Sequence, residues 1–306
     1  MGKTAFIFPG QGSQYIGMGK QLYEHFQSAR RVYEEAGDLL GFDLKEVCFQ
    51  GSEERLKQTR YTQPAVFVTS IALCSVLKDG EIAPQFVAGH SLGEYSALVK
   101  AGVLEFRDAL RTVKIRAELM QQVEEETPGR MAAIIGLPAD KVAEICEAAS
   151  SLGPVVPANF NSPEQIVISG AASAVKEAMN LAQQRGARRV IQLQVRGAFH
   201  TSFMETVATK LKETLSVLPM KEAKIPVVCN VTAEETTDSE EIRRLLVKQL
   251  THPVKWNQSM QRMIGLGVDR VVEVGPGRVL CGLMRRIDRT VEALSCLLYT
   301  SPSPRD

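Results

Sequence analysis

Cysteine is scarce and scattered in this chain. Cys48, Cys74, Cys146, Cys229, Cys281 and Cys296 are spread over 306 residues, with no CxxC pair and no His/Cys cluster. Such a pattern makes neither a disulfide frame nor a zinc site, and reads as the reduced core thiols of a cytoplasmic protein. Charge of one sign is lacking as well. The 36 basic side chains face 35 acidic ones, whereas a dedicated nucleic-acid binder carries a basic surplus. Although 44% of the residues are hydrophobic, no apolar run nears the ~20 residues that span a bilayer, so no membrane partner is expected. The opening MGKTAFIFPGQG has too short an apolar run, and no small-residue cleavage site, for a signal peptide. A dinucleotide-binding loop fails by one position. Gly10 and Gly12 suggest GxGxxG, but Tyr15 stands where the third glycine belongs.

What is present is an alternation of strand and helix. Thr4 to Phe8 predicts a strand, followed by a glycine-rich polar loop, PGQGSQ. Helical spacing runs from Tyr23 to Leu40 and from Gln63 to Leu77; Phe86 to Gly89 reads as a buried strand, with helices from Leu92 to Lys100 and Phe106 to Glu126. Residues 129–197 change the order to β-α-β-β-α-β, the ferredoxin-like split unit, after which strand–helix alternation resumes. The expected architecture is therefore α/β: a larger α/β-hydrolase-like body with a parallel sheet, formed by residues 1–128 and 198–295, with a small ferredoxin-like domain inserted. The cleft between them is the expected site. The last stretch, 296–306, carries two prolines in SPSPRD and does not continue the core periodicity. It is expected to be disordered and foreign to the natural protein.

Chemistry enters at FVAGHSLGEYSAL, residues 86–98. A strand ending at Gly89 and a helix beginning just after Ser91 leave almost no loop. Such a turn presses the positions two before and two after its centre together, which only very small residues permit; Gly89 and Gly93 satisfy it. The turn would lift the Ser91 hydroxyl clear of the sheet and aim the Leu92 amide at an oxyanion formed there. Only four histidines could serve as its base: His25, His90, His200 and His252. His25 lies on a polar helix, His90 points away from its neighbour at a sharp turn, and His252 sits before Pro253 where capping suffices. His200, in RGAFHTSF at the edge of the inserted domain, borders the expected cleft and is the preferred base. The group that orients it stays open on these grounds. On the helix from Phe106, Arg116 shares the apolar stripe of Ala109, Val113 and Met120. An arginine on a buried face needs an anion, either a core carboxylate or one carried by a substrate, unless its side chain snorkels to the helix end.

These motifs together (FPGQGSQ, GHSLGEYSAL, the following arginine, GAFHT and QLTHPVKW) resemble the malonyl-CoA:acyl carrier protein transacylase family, in the family's order over residues 3 to 295. The resemblance implies a ping-pong transfer of malonyl from malonyl-CoA, through Ser91, to the phosphopantetheine thiol of an acyl carrier protein. It implies an oxyanion hole from the backbone amides of Gln11 and Leu92. Arg116 would pair with the malonyl carboxylate, His200 would be the base, and Gln249 would orient it in place of a triad carboxylate. Ala117 departs from the family's frequent glycine, a change that should be tolerated. Phe199 matches the residue that accompanies malonyl choice in related modular acyltransferases, where it would fill the space of an α-methyl group; simple packing is the other reading. No cofactor or metal is implied, and nothing demands more than a monomer. Stand-alone enzymes of this kind serve fatty acid and polyketide synthesis. The competing readings are a hydrolase that clears acyl groups from carrier proteins with the same Ser/His pair, and a non-catalytic carrier-binding subunit.

Overall fold

The computed structural model describes residues 2–77 and 82–296. Among the described residues, ten strands form two sheets. In chain order they are β1 (Lys3–Phe8), β2 (Phe86–Gly89), β3 (Gly129–Ile135), β4 (Val155–Ser162), β5 (Gln165–Ala171), β6 (Arg189–Gln192), β7 (Val227–Val228), β8 (Glu235–Thr236), β9 (Val268–Glu273) and β10 (Glu292–Ser295). The body sheet has the order β10-β9-β1-β2-β7-β8 and is parallel except for β8 at its edge. Apolar residues occupy both faces of its central strand. Phe6 and Phe8 pack into one core and Ala5 and Ile7 into a second core across the sheet. Burial on both faces is what a parallel sheet covered by helices requires, and it explains the unbroken apolar run of AFIF.

The inserted sheet is antiparallel, in the order β4-β5-β3-β6. Its period of two sorts the side chains. Ala132, Ile134, Ile166 and Ile168 face the helices Ala139–Ala149 and Ala172–Gln184, while Met131, Ala133 and Val167 join the core of the body. The fold is thus the expected α/β body with a parallel sheet and a βαββαβ insert. The insert is entered and left side by side, because the Gly129 N–H donates to the Arg196 carbonyl at 2.8 Å. Its edge strand β4 is also clipped to the body: Phe160 N–H donates to Val254 O, and Val254 N–H to Ala158 O, both at 2.9 Å.

Several element boundaries differ from the sequence reading. The helix expected from Tyr23 to Leu40 is two helices, Lys20–His25 and Gln27–Leu40, broken at Phe26, whose backbone is extended. Arg30 closes the break by donating to the carbonyls of Tyr23 and Glu24. The helix expected from Gln63 starts a turn earlier, at Thr59, and carries Pro64 inside it. The tail expected from 296 starts one residue too soon, since Cys296 is 1% exposed within the body core. Residues 297–306 lie outside the described residues. Among the described residues no helix is long and apolar enough to cross a membrane.

Candidate active site

The C-terminal ends of β1 and β2 lie side by side, with Phe8 opposite Gly89. Open α/β sheets bind ligands at such strand ends. Ser91 follows β2 with φ 50°, and the helix Gly93–Lys100 starts two residues later. The two glycines are demanded by contact. A Cβ on Gly89 would lie 1.9 Å from the Gly93 carbonyl carbon, and one on Gly93 would lie 2.1 Å from the Phe8 carbonyl oxygen. The left-handed turn at Ser91 is braced by Asn230, which is fully buried. Its Oδ1 accepts from the Ser91 N–H at 2.7 Å and its Nδ2 donates to Gly89 O at 2.6 Å.

His200 arrives at this turn from the junction after the insert, itself at φ 61° and 4% exposed. Its Nε2 is 2.9 Å from Ser91 Oγ, and its Nδ1 is 2.7 Å from the backbone oxygen of Gln249. A carbonyl oxygen can only accept, so Nδ1 carries the ring proton and Nε2 presents its lone pair to the serine hydroxyl. Gln249 ends the helix Ser239–Gln249, where carbonyls lack intrahelical partners, so this one is available to the histidine. Burial pushes the His200 pKa down to about 3, aided by the positive charge of Arg116 and opposed by the bond to Gln249. The imidazole is therefore neutral at ordinary pH.

Arg116 comes from the helix Phe106–Glu126 and is 1% exposed. Its Nη1 donates to Gln63 Oε1 at 2.7 Å; its Nη2 donates to Ser91 Oγ at 3.1 Å and to Gln249 Oε1 at 3.2 Å. Its Nε is buried with no acceptor. A charged donor left unpaired in the interior is costly unless a ligand completes it. The counter-charge in the core is Glu94, also 1% exposed, whose carboxylate accepts from Gln249 Nε2 at 2.5 Å. Burial raises the Glu94 pKa to about 7 against the hydrogen bonds of Gln249, the Asn230 main chain and Cys229.

The loop after β1 forms the far wall. Gly10 packs so closely on the elbow that a Cβ there would meet the His90 carbonyl oxygen at 2.4 Å. Gln11 lines the cavity, its side chain donating to Thr59 Oγ1 at 3.2 Å, and Thr59 donates to the buried carboxylate of Glu124 at 2.6 Å. Among the described residues, the main-chain N–H groups of Gln11 and Leu92 have no protein acceptor. Phe199, 6% exposed, lines the same cavity and packs into the body core. The cavity measures about 180 Å³, smaller than the ~300–1,000 Å³ clefts that hold drug-sized ligands, which suits a short acyl group.

All seven residues singled out in the sequence (Gln11, Ser91, Leu92, Arg116, Phe199, His200 and Gln249) thus gather at one site. The other histidines do not join as bases. His90 bonds Asn161 Oδ1 at 2.8 Å and lies against Trp256, and His252 bonds the Lys248 carbonyl at 3.0 Å. Sequence reasoning missed Gln63, Glu94 and Asn230. Each is a polar residue set in an apolar buried segment, which is the one signal that could have marked them. Among the described residues no group of three or more His, Cys, Asp or Glu side chains converges as a metal site would need.

A family model described as an acyl transferase domain matches residues 5–295. The malonyl CoA-acyl carrier protein transacylase of Bacillus subtilis (strain 168) is 44% identical over 296 residues, covering 96% of this chain and 93% of that one. The enzyme of the same name from Staphylococcus aureus (strain MRSA252) is 43% identical, covering 96% of each. The solved malonyl-CoA:acyl carrier protein transacylase of Xanthomonas oryzae pv. oryzae superposes with a TM-score of 0.93 at 42% identity, over 96% of this chain and 94% of that one. A malonyl-transacylase solved in complex with its type II PKS acyl-carrier protein superposes with a TM-score of 0.94 at 40% identity, over 97% and 98%.

Proposed function

Since this chain belongs to the acyl transferase family, among the malonyl-CoA:acyl carrier protein transacylases, we propose that it moves malonyl from coenzyme A to a carrier-protein thiol through Ser91. The Ser91 hydroxyl attacks the thioester carbonyl while His200 Nε2 takes its proton. The carbonyl oxygen becomes an oxyanion held by the N–H groups of Gln11 and Leu92. Its collapse breaks the C–S bond, and coenzyme A leaves as a thiol with the proton from His200, so that a malonyl-serine ester remains. The phosphopantetheine thiol then gives its proton to His200, attacks the ester and releases Ser91, which recovers that proton. Thioester, ester and thioester share one oxidation level, so the reaction calls for no redox group or metal.

The observation that carries this reading is Arg116. A buried guanidinium with an unpartnered Nε, 3.1 Å from the serine oxygen through Nη2, suits an acyl group that ends in a carboxylate. A general acyl hydrolase has no use for that charge. Phe199 in the same wall supports a preference for malonyl over branched homologues. For the carrier protein we propose the groove lined by Arg188, Arg189, Arg285, Arg286 and Arg289 beside Glu164 and Asp288, because carrier proteins of this family's reactions are acidic and opposite charge steers docking. The six free thiols support a cytoplasmic location.

The test is mass spectrometry of holo-carrier proteins after incubation with the enzyme and a panel of acyl-CoAs. Malonyl-carrier should dominate, and free malonate as the main product would support the hydrolase instead. Ser91→Ala should abolish covalent labelling by malonyl-CoA; acyl-enzyme persisting in that variant would remove Ser91 as the nucleophile.

A further inference from the structure

Behind the cavity lies a carboxylate that the reaction as written does not use. Glu94 sits in the first turn of the helix Gly93–Lys100 and does not line the cavity. It is 1% exposed in a helix whose other early residues are apolar or small. An ionisable group is retained in such a place only where its hydrogen bonds and charge are matched. Its partner is the Gln249 side-chain amide, and that amide joins everything else at the site. Gln249 Nε2 donates both to Glu94 Oε2, at 2.5 Å, and to the Ser91 carbonyl, at 3.0 Å, while Oε1 accepts from Arg116 Nη2. The main-chain oxygen of the same residue holds His200 Nδ1.

A side-chain amide can turn end for end, exchanging its donor and acceptor. Above pH 7, where Glu94 is mainly ionised, its carboxylate only accepts, so Glu94 permits one of the two orientations. In that orientation the amide oxygen faces the guanidinium; in the other, two N–H donors would confront each other and push Arg116 aside. We propose that Glu94 is a positioning residue, holding the Gln249 amide in the orientation that aims Arg116 at the substrate carboxylate. This rests on the reading of Arg116 given above. Gln63 on Nη1 and Gln249 on Nη2 then fix the plane of the guanidinium at the cavity wall. The bond from His200 uses the Gln249 main chain and survives a turn of the amide, whereas the Ser91 carbonyl would lose its donor and Arg116 Nη2 would leave Ser91 Oγ.

Glu94→Gln tests it, because a second amide can donate to Gln249 Oε1 and stabilise the turned form. Steady-state transfer from malonyl-CoA and from acetyl-CoA to a holo-carrier protein would be measured at pH 8, above the Glu94 pKa, for wild type, Glu94→Gln, Glu94→Asp and Arg116→Ala. Losing one charge-assisted hydrogen bond should raise KM for malonyl-CoA about tenfold, while any fall in kcat from the disturbed Ser91 should be shared by both donors. The malonyl-over-acetyl preference should fall in step, and Glu94→Asp, which still only accepts, should keep more of it. Unchanged preference in Glu94→Gln, or equal loss of both donors with no rescue by Glu94→Asp, overturns the proposal. If Arg116→Ala keeps the wild-type preference, the carboxylate reading of Arg116 falls and takes this one with it. If only Glu94→Gln keeps it, the role of Glu94 falls alone. Should Glu94→Gln not fold, the effect of Glu94→Asp on preference should shrink to less than about twofold in a Gln249→Met background, which has no amide to orient; an equal effect in both backgrounds overturns the role.

Discussion

At the scale of single residues, Arg116 combines a functional demand with a structural liability. Its charge is held by two glutamine oxygens and one buried carboxylate, with no ion pair of its own. Leaving a buried charge uncompensated typically amounts to ~3–5 kcal/mol, which corresponds to about two to four powers of ten in rate. Arg116→Ala should therefore lower the malonyl-over-acetyl ratio by about a hundredfold or more while slow acetyl transfer persists, as competition assays with both donors would read. Glu94 gives a second outcome at this scale. Its folded pKa, about 7, lies above its ordinary 4.5, so the folded state binds the proton more tightly. The stability this confers is complete below about 4.5 and is lost as pH rises through 7. Arg116 and Cys229, which face Glu94, and Tyr95 beside it are common to wild type and variant, as is the opposite acid-side loss from His200. From pH 5 to pH 8, the thermal stability of wild type relative to Glu94→Gln should thus fall, by about 1–3 kcal/mol at most. A flat difference would mean that Glu94 titrates near its usual value.

At the scale of elements, the elbow depends on parts that the chain brings from far apart. The strand, the turn and the two glycines were legible because they lie within eight residues and their spacing is itself the signal. The βαββαβ insert was legible for a similar reason, as its periods of 2 and 3.6 repeat in order. Asn230 was not, for it reaches Ser91 across 139 positions, and a polar residue after an apolar strand reads as the start of a loop. Gln63 and Glu94 also reach their partners across long stretches of sequence, while the extended backbone at Phe26, with Arg30 on the carbonyls it leaves open, is not marked in the helical spacing. The main-chain bond from His200 to Gln249 left no side-chain trace in the sequence. Asn230→Ala should lower kcat about ten- to a hundredfold with KM nearly unchanged, because it loosens the serine without touching the cavity wall; stopped-flow acylation would show it. Gly89→Ala, which drives a Cβ into the Gly93 backbone, should yield little soluble protein, and a normal yield with full activity would contradict the tight elbow.

At the scale of the whole molecule, the arginine groove draws on both parts of the fold, with Arg188 and Arg189 from the insert and Arg285, Arg286 and Arg289 from the body. Reversing the charge of Arg189 and Arg289 to glutamate should raise KM for the carrier protein about tenfold at low salt, more than it raises KM for malonyl-CoA, with the difference narrowing as salt is added. Equal changes in both constants would place docking elsewhere.

The side-by-side crossing at Gly129 and Arg196 has a consequence for descent. Ser91, Arg116, His200 and Gln249 all lie outside the stretch between those two points, whereas Met131, Val167, Leu193 and Val195 within it form part of the cavity wall. The two pieces can accumulate change on separate schedules. A lineage that rewrites the insert reshapes that part of the wall while inheriting Ser91, His200, Arg116 and Phe199 unchanged.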